Sequence, residues 1–468
     1  MGDLRVELYG THVGDLFEKA NTFDFRVADA GIERFGIGST VLSYAVPLVR
    51  TARRNDAPLR RNFFDEVLPE GRARKRLAGN AAIASDYTVG MLRRYGRDVA
   101  GALQVWDPTA PGEPKSPVAS PVDDAGIRRI LVEVASTPIG NTTAARKSSL
   151  AGVQDKIVLA KTDDGWAEPL DGFPSTHIIK PVVPTLPTMI FDEEYGARIA
   201  RHLGLTTYGT ELVNFAGATA LVIERYDRSP DTADGRIHQE DFNQALGFGG
   251  DGKYEVHGHI GIAAIAELLR RQIGNDATAE LLRLTTLSVA VGNLDMHAKN
   301  VSVLHLPDGT ARLAPAYDIV PQRHHTGFDD DFAFRINGIF EHDRIALTDL
   351  IAEGEKWKVP DAEQIVRDTV ESIAEFVATQ RPDPGAHHSL AEDIQRMCGH
   401  LLDGRGAGGE ATPSPAAARA ALRRKQKGLG STPNGGTGGS FAAHERPDAD
   451  IELREPPQSP GGWGGPVG

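Results

Sequence analysis

The sequence predicts an α+β protein, rich in strands toward its N-terminus and largely helical toward its C-terminus. Apolar and polar residues alternate through the first fifty positions, at Leu4, Val6, Leu8, then Phe23, Phe25, Val27, then Leu42, Tyr44, Val46, Leu48. That period of two is the mark of half-buried strands. From Ile262 onward the apolar positions instead recur at helical spacing, in the runs 262–273, 277–291, 361–379 and 390–402. Between these zones, short apolar strands such as Ile157 to Ala160 and Ala220 to Ile223 are separated by helical stretches.

With 468 residues and a hydrophobic fraction of 40%, the chain can fill an ordinary core in two or three structural units. Its net charge of −13 argues against broad non-specific affinity for nucleic acid, so a role on DNA would need a partner or a local patch. Cys398 is the only cysteine, which excludes an intramolecular disulfide and a cysteine-cluster zinc site and fits a reducing cytoplasm. No apolar run approaches the roughly 18 residues of a membrane span. Met1-Gly2-Asp3-Leu4 leads into a strand rather than a signal peptide, and a cytoplasmic protein without membrane contact is expected.

Taken in order, Leu4 to Phe17 reads as a hairpin turning at Gly10 to Gly14, and the first fifty residues as a small antiparallel sheet. Helical patterning follows from Asn62 through Leu68-Pro69-Glu70 and the basic run Gly71 to Arg76, then again from Thr88 to Tyr95. The basic run reads as a solvated helix face, although it carries the charge to meet phosphates. Gly101 to Val105 is a further strand. Asp107 to Pro121 holds five prolines, the composition of a boundary.

Helix Asp123 to Ala135 leads to Ala144-Ala145-Arg146-Lys147-Ser148-Ser149-Leu150-Ala151-Gly152-Val153-Gln154-Asp155-Lys156, just before the strand Ile157 to Ala160. Such a loop can wrap phosphates with backbone N–H groups, though it lacks the Walker pattern and alone reads equally as a surface turn. Thr176 to Pro181 ends a strand on Lys180, and Asp192-Glu193-Glu194 opens the next helix. In kinases a strand lysine grips the α- and β-phosphates and is held by a helix glutamate; acidic residues also favour helix N-termini for their own sake. Ala220 to Ile223 runs out into Glu224-Arg225-Tyr226, where a hinge strand would offer backbone groups to an adenine edge.

Gly247-Phe248-Gly249-Gly250-Asp251-Gly252 follows an expected helix, Glu240 to Leu246, rather than a strand, and so lacks the context of a phosphate loop. The pairs His324-His325 and His387-His388 and the run Asp329 to Asp331 lack metal-ligand spacing and read as solvated loop residues. From Asp403 on, Gly, Pro, Ser and Ala dominate, with a basic island at Arg423 to Lys427, and a disordered tail is expected.

The most informative stretch is Val291 to Asn300. Asp295 and Asn300 repeat the D-x-x-x-x-N spacing of a kinase catalytic base and its metal-binding asparagine. Strands Val301 to Leu306 and Ala311 to Ala314, joined at Pro307-Asp308-Gly309, would form a hairpin that returns Asp318 beside Asn300. One carboxylate to accept a hydroxyl proton, with a carboxamide and a second carboxylate for magnesium, is what phosphoryl transfer requires. A polar loop after a helix would carry the same local pattern.

Several motifs, in order, resemble the HipA family, the serine/threonine-kinase toxins of bacterial type II toxin–antitoxin modules. They are Leu68-Pro69-Glu70-Gly71, Gly96 to Ala102, Ser149 to Lys156, Thr176 to Lys180, Asp295 to Asn300 and Tyr317-Asp318, and the resemblance extends to about Leu402. It implies a two-lobed protein-kinase-like fold. Residues 1–106 would be an α/β subdomain packed on the smaller lobe and 107–122 a linker. The rest of the smaller lobe, with phosphate loop and hinge, would be 123–228, the helical catalytic lobe 229–402 and the tail 403–468.

By the same resemblance, Ala151, Gly152, Val153, Gln154, Asp155 and Lys156 belong to the ATP-phosphate loop, Lys180 grips phosphates, and Glu224 with Tyr226 forms the adenine hinge. Asp295 is the base, Asn300 and Asp318 are the Mg2+ ligands, and His297 and Lys299 shape the catalytic loop beside the phosphates. Ser149 matches the serine that the family phosphorylates on itself, a change of roughly −1.5 to −2 in charge that expels the loop from the nucleotide. The implied partners are a helix-turn-helix antitoxin of the HipB type, operator DNA mainly through that antitoxin, and a protein substrate such as an aminoacyl-tRNA synthetase. The family usually has Asn-Glu where this chain has Asp192-Glu193, a departure beside the residue expected to hold Lys180. Two other readings stay open, a small-molecule phosphotransferase of the same fold and a non-catalytic co-repressor bound to an antitoxin.

Overall fold

The computed structural model describes residues 2–19, 22–136, 156–232, 234–255, 260–325 and 330–409. The first four strands, β1 (Leu4–Leu8), β2 (Thr11–Lys19), β3 (Thr22–Val27) and β4 (Leu103–Trp106), form an antiparallel sheet in the order β3-β2-β1-β4. Leu4, Val6 and Leu8 are fully buried, as their alternation requires. The first hairpin turns on Tyr9 and Gly10, both at positive φ, so β2 begins at Thr11 rather than after Gly14. Helices α1 (Asp29–Phe35), α2 (Ala57–Glu66), α3 (Gly71–Ala81) and α4 (Thr88–Tyr95) accompany this sheet, and Phe63, Phe64, Met91 and Leu92 fill the core beneath it.

The strand expected over Leu42 to Leu48 does not form. Leu42, Val46 and Leu48 are buried as the alternation demanded, but the segment is irregular. Pro47 has no N–H to give a ladder. The Tyr44 N–H instead donates to Glu240 Oε1 at 2.8 Å and that of Ala45 to Ser43 Oγ at 3.0 Å.

A six-stranded sheet comes next, built from β5 (Val118–Pro121), β6 (Ile157–Thr162), β7 (Gly165–Leu170), β8 (His177–Pro181), β9 (Thr210–Phe215) and β10 (Ala218–Glu224) in the order β5-β7-β6-β8-β10-β9. The proline-rich stretch expected as a linker thus supplies an edge strand, a position in a sheet that tolerates missing N–H groups. Helix α5 (Asp124–Ser136) covers one face through Ile127, Ile130 and Leu131, and α6 (Met189–His202) follows β8.

In the last third, the residues expected to open a helix at Glu240 belong to β11 (His238–Asp241), and only Phe242–Ala245 (α7) is helical. Asp241 accounts for the difference. It forms a capping box with Gln244, so the helix starts after it, while Glu240 is held as a strand residue by Tyr44 and by His305 at 2.8 Å. Helices α8 (Ile262–Gln272) and α9 (Asn275–Val291) lie close to their expected bounds. Strands β12 (Ser302–His305) and β13 (Ala311–Leu313) make the expected hairpin and join β11 in a three-stranded sheet.

A second hairpin, β14 (Asp331–Ile336) with β15 (Ile339–Glu341), precedes α10 (Leu347–Lys356), α11 (Ala362–Thr379) and α12 (Leu390–Leu402). These helices share one apolar core with α9. Order continues past Asp403 to Gly409, because Ala407 N–H donates to Ile345 O and Gly408 N–H to Asp343 O, both at 3.0 Å. The rest of the expected tail lies outside the described residues. No helix of the described residues is long and apolar enough to cross a membrane.

Candidate active site

Strand β8 delivers Lys180 to the middle of the six-stranded sheet, opposite Leu221 of β10. Its ammonium is buried, and such a charge persists only when paired. The Lys180 Nζ donates to Glu193 Oε1 at 2.6 Å and to Asp318 Oδ1 at 2.7 Å. Burial alone would lower the Lys180 pKa, but Asp318 and Glu193 reverse that and keep it raised. Burial likewise pushes against Asp318 ionising, yet Lys180 and Lys156 bring its carboxyl down to about 2. Glu193 stands in the first half of α6, so the helix predicted from its acidic start supplies the residue that holds the strand lysine.

Helix α9 ends at Gly292, in the left-handed conformation at φ 70°. A Cβ there would meet Arg323 Cβ at 2.7 Å, so the turn that launches the next residues requires glycine twice over. The chain then folds around Asp295, and Asn300 Nδ2 donates to the Asp295 carbonyl at 2.8 Å. Tyr254 O–H donates to Asp295 Oδ1 at 3.1 Å, and His297 Nε2 lies 3.7 Å from the same oxygen. Burial lowers the His297 pKa, which keeps the ring neutral. The Asp295 side chain remains 42% exposed, its carboxylate open to solvent.

The hairpin of β12 and β13 returns the chain as its pattern predicted. Tyr317 O–H donates to Lys299 O at 2.7 Å, tying the residue before Asp318 to the residue before Asn300. Asp318 itself takes φ 56°, a left-handed conformation uncommon outside glycine and found where a side chain must be aimed. Lys156, Lys180, Tyr226, Asp295, Asn300 and Asp318 all line one cavity of about 460 Å³, the size class of a small-ligand site.

The remaining expected site residues divide. Glu224, at the end of β10, lines the cavity and accepts the Gly209 N–H at 2.7 Å. Tyr226 is half-buried between Tyr208 and Tyr317, with ring centroids 6.0 and 5.5 Å away. Lys299 also faces the cavity, but its ammonium is taken up by Glu66 at 2.5 Å and Glu70 at 2.6 Å. Ala151, Gly152, Val153, Gln154 and Asp155, together with Ser149, lie outside the described residues.

Sequence reasoning missed three features. Glu66 and Glu70, bonded to Lys299, bring the N-terminal subdomain into direct contact with the stretch that carries Asp295 and Asn300. Arg225 and Arg228, on either side of Tyr226 and Asp227, are locked by Asp227 and Asp98, while Gly101 N–H donates to Asp227 Oδ2 at 2.7 Å, fastening the segment after β10 to the same subdomain. Finally, His324, His325 and His387, read as solvated loop residues, converge on buried Asp192. The only signal for the first was Glu70 within the Leu-Pro-Glu-Gly motif; the other two carry no local signature.

Comparison with known proteins places the chain in a family. Residues 4–106 match the HipA N-terminal domain and residues 148–377 the HipA-like C-terminal domain. The chain is 34% identical over 336 residues to Y4mE of Sinorhizobium fredii, covering 68% of this chain and 78% of that relative. It is 25% identical over 402 residues to the serine/threonine-protein kinase toxin HipA of Shewanella oneidensis, covering 79% of this chain and 89% of the toxin. The solved Shewanella oneidensis MR-1 complex of HipA, HipB and operator DNA contains a chain that superposes with a TM-score of 0.70 at 22% identity, over 86% of this chain and 97% of that one. With both domains matched in order and a relative 34% identical matched over 78% of its length, the chain belongs to the HipA family of kinases.

Proposed function

We propose that the chain is an ATP- and Mg2+-dependent serine/threonine protein kinase that acts as the toxin of a type II toxin–antitoxin module. The observation that carries the reading is the ion triad of Lys180 with Glu193 and Asp318, at a cavity that Asp295 and Asn300 also line. Membership in a kinase family implies ATP use. The donors for a metal fit the expectation. The Asn300 amide nitrogen is spent on the Asp295 carbonyl, leaving its oxygen, and Asp318 keeps a 34% exposed carboxylate. Hard oxygen ligands of this kind suit Mg2+. When bound, Mg2+ neutralises charge on the phosphate oxygens.

Lys180, held cationic by its two carboxylates, positions the phosphates, and Asp295 accepts the proton of the attacking hydroxyl. Tyr254 holds the Asp295 carboxylate in place, with the His297 ring beside it. Tyr226, with Tyr208 and Tyr317, gives the cavity an aromatic wall where an adenine would lie. By family resemblance Ser149 is the inhibitory autophosphorylation site, the protein substrate is a translation component such as an aminoacyl-tRNA synthetase, and the partner is a helix-turn-helix antitoxin. The Shewanella complex, which contains HipB and operator DNA, supports that choice of partner.

The test is incubation with labelled ATP and Mg2+, wild type against Asp295→Asn, in cell lysate with mapping of the labelled sites. Loss of the base is expected to cost on the order of 10² to 10⁴ in rate. Equal labelling by the variant would refute the mechanism, and label on small alcohols without protein labelling would favour a small-molecule phosphotransferase. Phosphate on Ser148 rather than Ser149 would refute the autophosphorylation assignment alone.

A further inference from the structure

Two adjacent imidazoles, of His324 and His325, and the backbone N–H of the distant His387 meet on one buried carboxylate. Asp192, in the first turn of α6, is fully buried. Its Oδ2 accepts from His324 Nε2 at 3.2 Å, His325 Nε2 at 3.0 Å and Thr188 Oγ1 at 2.9 Å, while Oδ1 accepts the His387 N–H at 2.8 Å. The His324 and His325 ring centroids are 4.3 Å apart, and His387 stacks on His324 at 4.3 Å.

We propose that Asp192, His324 and His325 form a site for a borderline divalent transition ion of the Zn2+ class. The three ligand atoms all lie within 4.8 Å of one another. Around an ion with bonds of about 2.0–2.1 Å, tetrahedral ligands stand roughly 3.4 Å apart, and the carboxylate-to-imidazole distances of 3.0 and 3.2 Å are already close to that edge. His324 belongs to a second such group with His387 and Asp393, so donors surround it on two sides. Thr188 and the His387 N–H orient the carboxylate, the outer-layer support that ligands of metal sites have.

Nitrogen-rich donors with one carboxylate select Zn2+, Co2+ or Ni2+ over Mg2+, so this site is chemically distinct from the oxygen donors Asn300 and Asp318. The consequence is structural. Asp192 immediately precedes Glu193, the partner of Lys180, and His324 and His325 lie shortly after Asp318 in sequence. A bound ion ties the start of α6 to the segment that follows the second carboxylate of the triad. The site stands or falls independently of any phosphotransfer.

The experiment is titration of the EDTA-stripped full chain with Co2+ in excess Mg2+, read from the visible absorption bands of four- or five-coordinate Co2+. One saturating equivalent, displaced by Zn2+, is expected for wild type and for a His12→Gln control in the N-terminal sheet. His325→Gln and Asp192→Asn, checked for fold by circular dichroism, should each weaken binding by about 100-fold or more, beyond the roughly 10–100-fold of losing an outer-layer partner. No saturable band in wild type, or unchanged affinity in folded His325→Gln, overturns the proposal. Should a variant fail to fold, X-ray absorption of the Zn2+-loaded wild type decides the matter. At least two imidazoles in the ligand shell are expected, and fewer overturns it.

Discussion

Two lysines in this molecule share a chemical description and differ in what they do. Lys180 and Lys299 each have a side chain 5% exposed, each is clasped by two carboxylates, and each has a pKa raised against the effect of burial. The carboxylates around Lys180 come from α6 and from Asp318, which lies 34% exposed. Those around Lys299 come from Glu66 and Glu70 of the N-terminal subdomain, at 4% and 22% exposure, with Asp241 adding to the field. A buried lysine between carboxylates is therefore no sign of a site by itself. At Lys180 one partner keeps an accessible carboxylate for a ligand, whereas at Lys299 the charges are spent on joining two parts of the fold.

The sharpest way to break the comparison is to remove each ammonium in turn. Lys180→Met should lower phosphotransfer by at least about 100-fold, while Lys299→Met, assayed at equal folded concentration, should lose less than about tenfold. A Lys299→Met protein of native stability that is as inactive as Lys180→Met would make Lys299 a phosphate ligand after all. The complementary effect is on stability. Lys299→Met strands buried Glu66 and should cost about 3–5 kcal/mol in urea unfolding, with most of it recovered on adding Glu66→Gln and Glu70→Gln.

A smaller effect probes the contact behind the Lys180 cluster. A Cβ on Gly196 of α6 would stand 2.1 Å from the Ile319 carbonyl, so Gly196→Ala should force the helix bearing Glu193 away from Asp318, costing about 1–3 kcal/mol in stability and lowering kcat. Unchanged stability and kcat would show that α6 does not hold the triad in register. The smallest effect is in acid. Burial raises Glu70, but Lys299 and Lys253 overcome it and bring its pKa down to about 2, so its contribution is complete above its ordinary value of 4.5 and is lost as pH falls through about 2. Glu70→Gln should flatten the acid limb of a denaturation midpoint measured between pH 2.5 and 6. An unchanged limb would assign the acid sensitivity to other carboxylates.

Some of this was legible in the sequence because the interactions concerned are local or periodic. The hairpin between Asn300 and Asp318 rests on two apolar runs and a Pro-Asp-Gly turn, and it formed where the pattern put it. The alternation at Leu42 to Leu48 correctly reported burial but not a ladder, because side-chain period says which face is covered while Pro47 and the Glu240 carboxylate decide where the backbone bonds go. The helix expected from Glu240 failed for a similar reason, since the Asp241 cap shifted its start.

What the sequence by itself determined is the kinase arrangement of motifs, Lys180 on a strand, Glu193 on the next helix, Asp295 five residues before Asn300, and Asp318 after a hairpin. Those relations span short stretches whose geometry follows from helix and strand periods. Only the tertiary structure decided that Lys299 is clasped by Glu66 across 233 residues, that Asp98 of the N-terminal subdomain pairs with Arg228 just after β10, and that His324, His325 and His387 meet at Asp192. Buried charges must find opposite charges or hydrogen bonds, but nothing in local patterning says which distant segment supplies them.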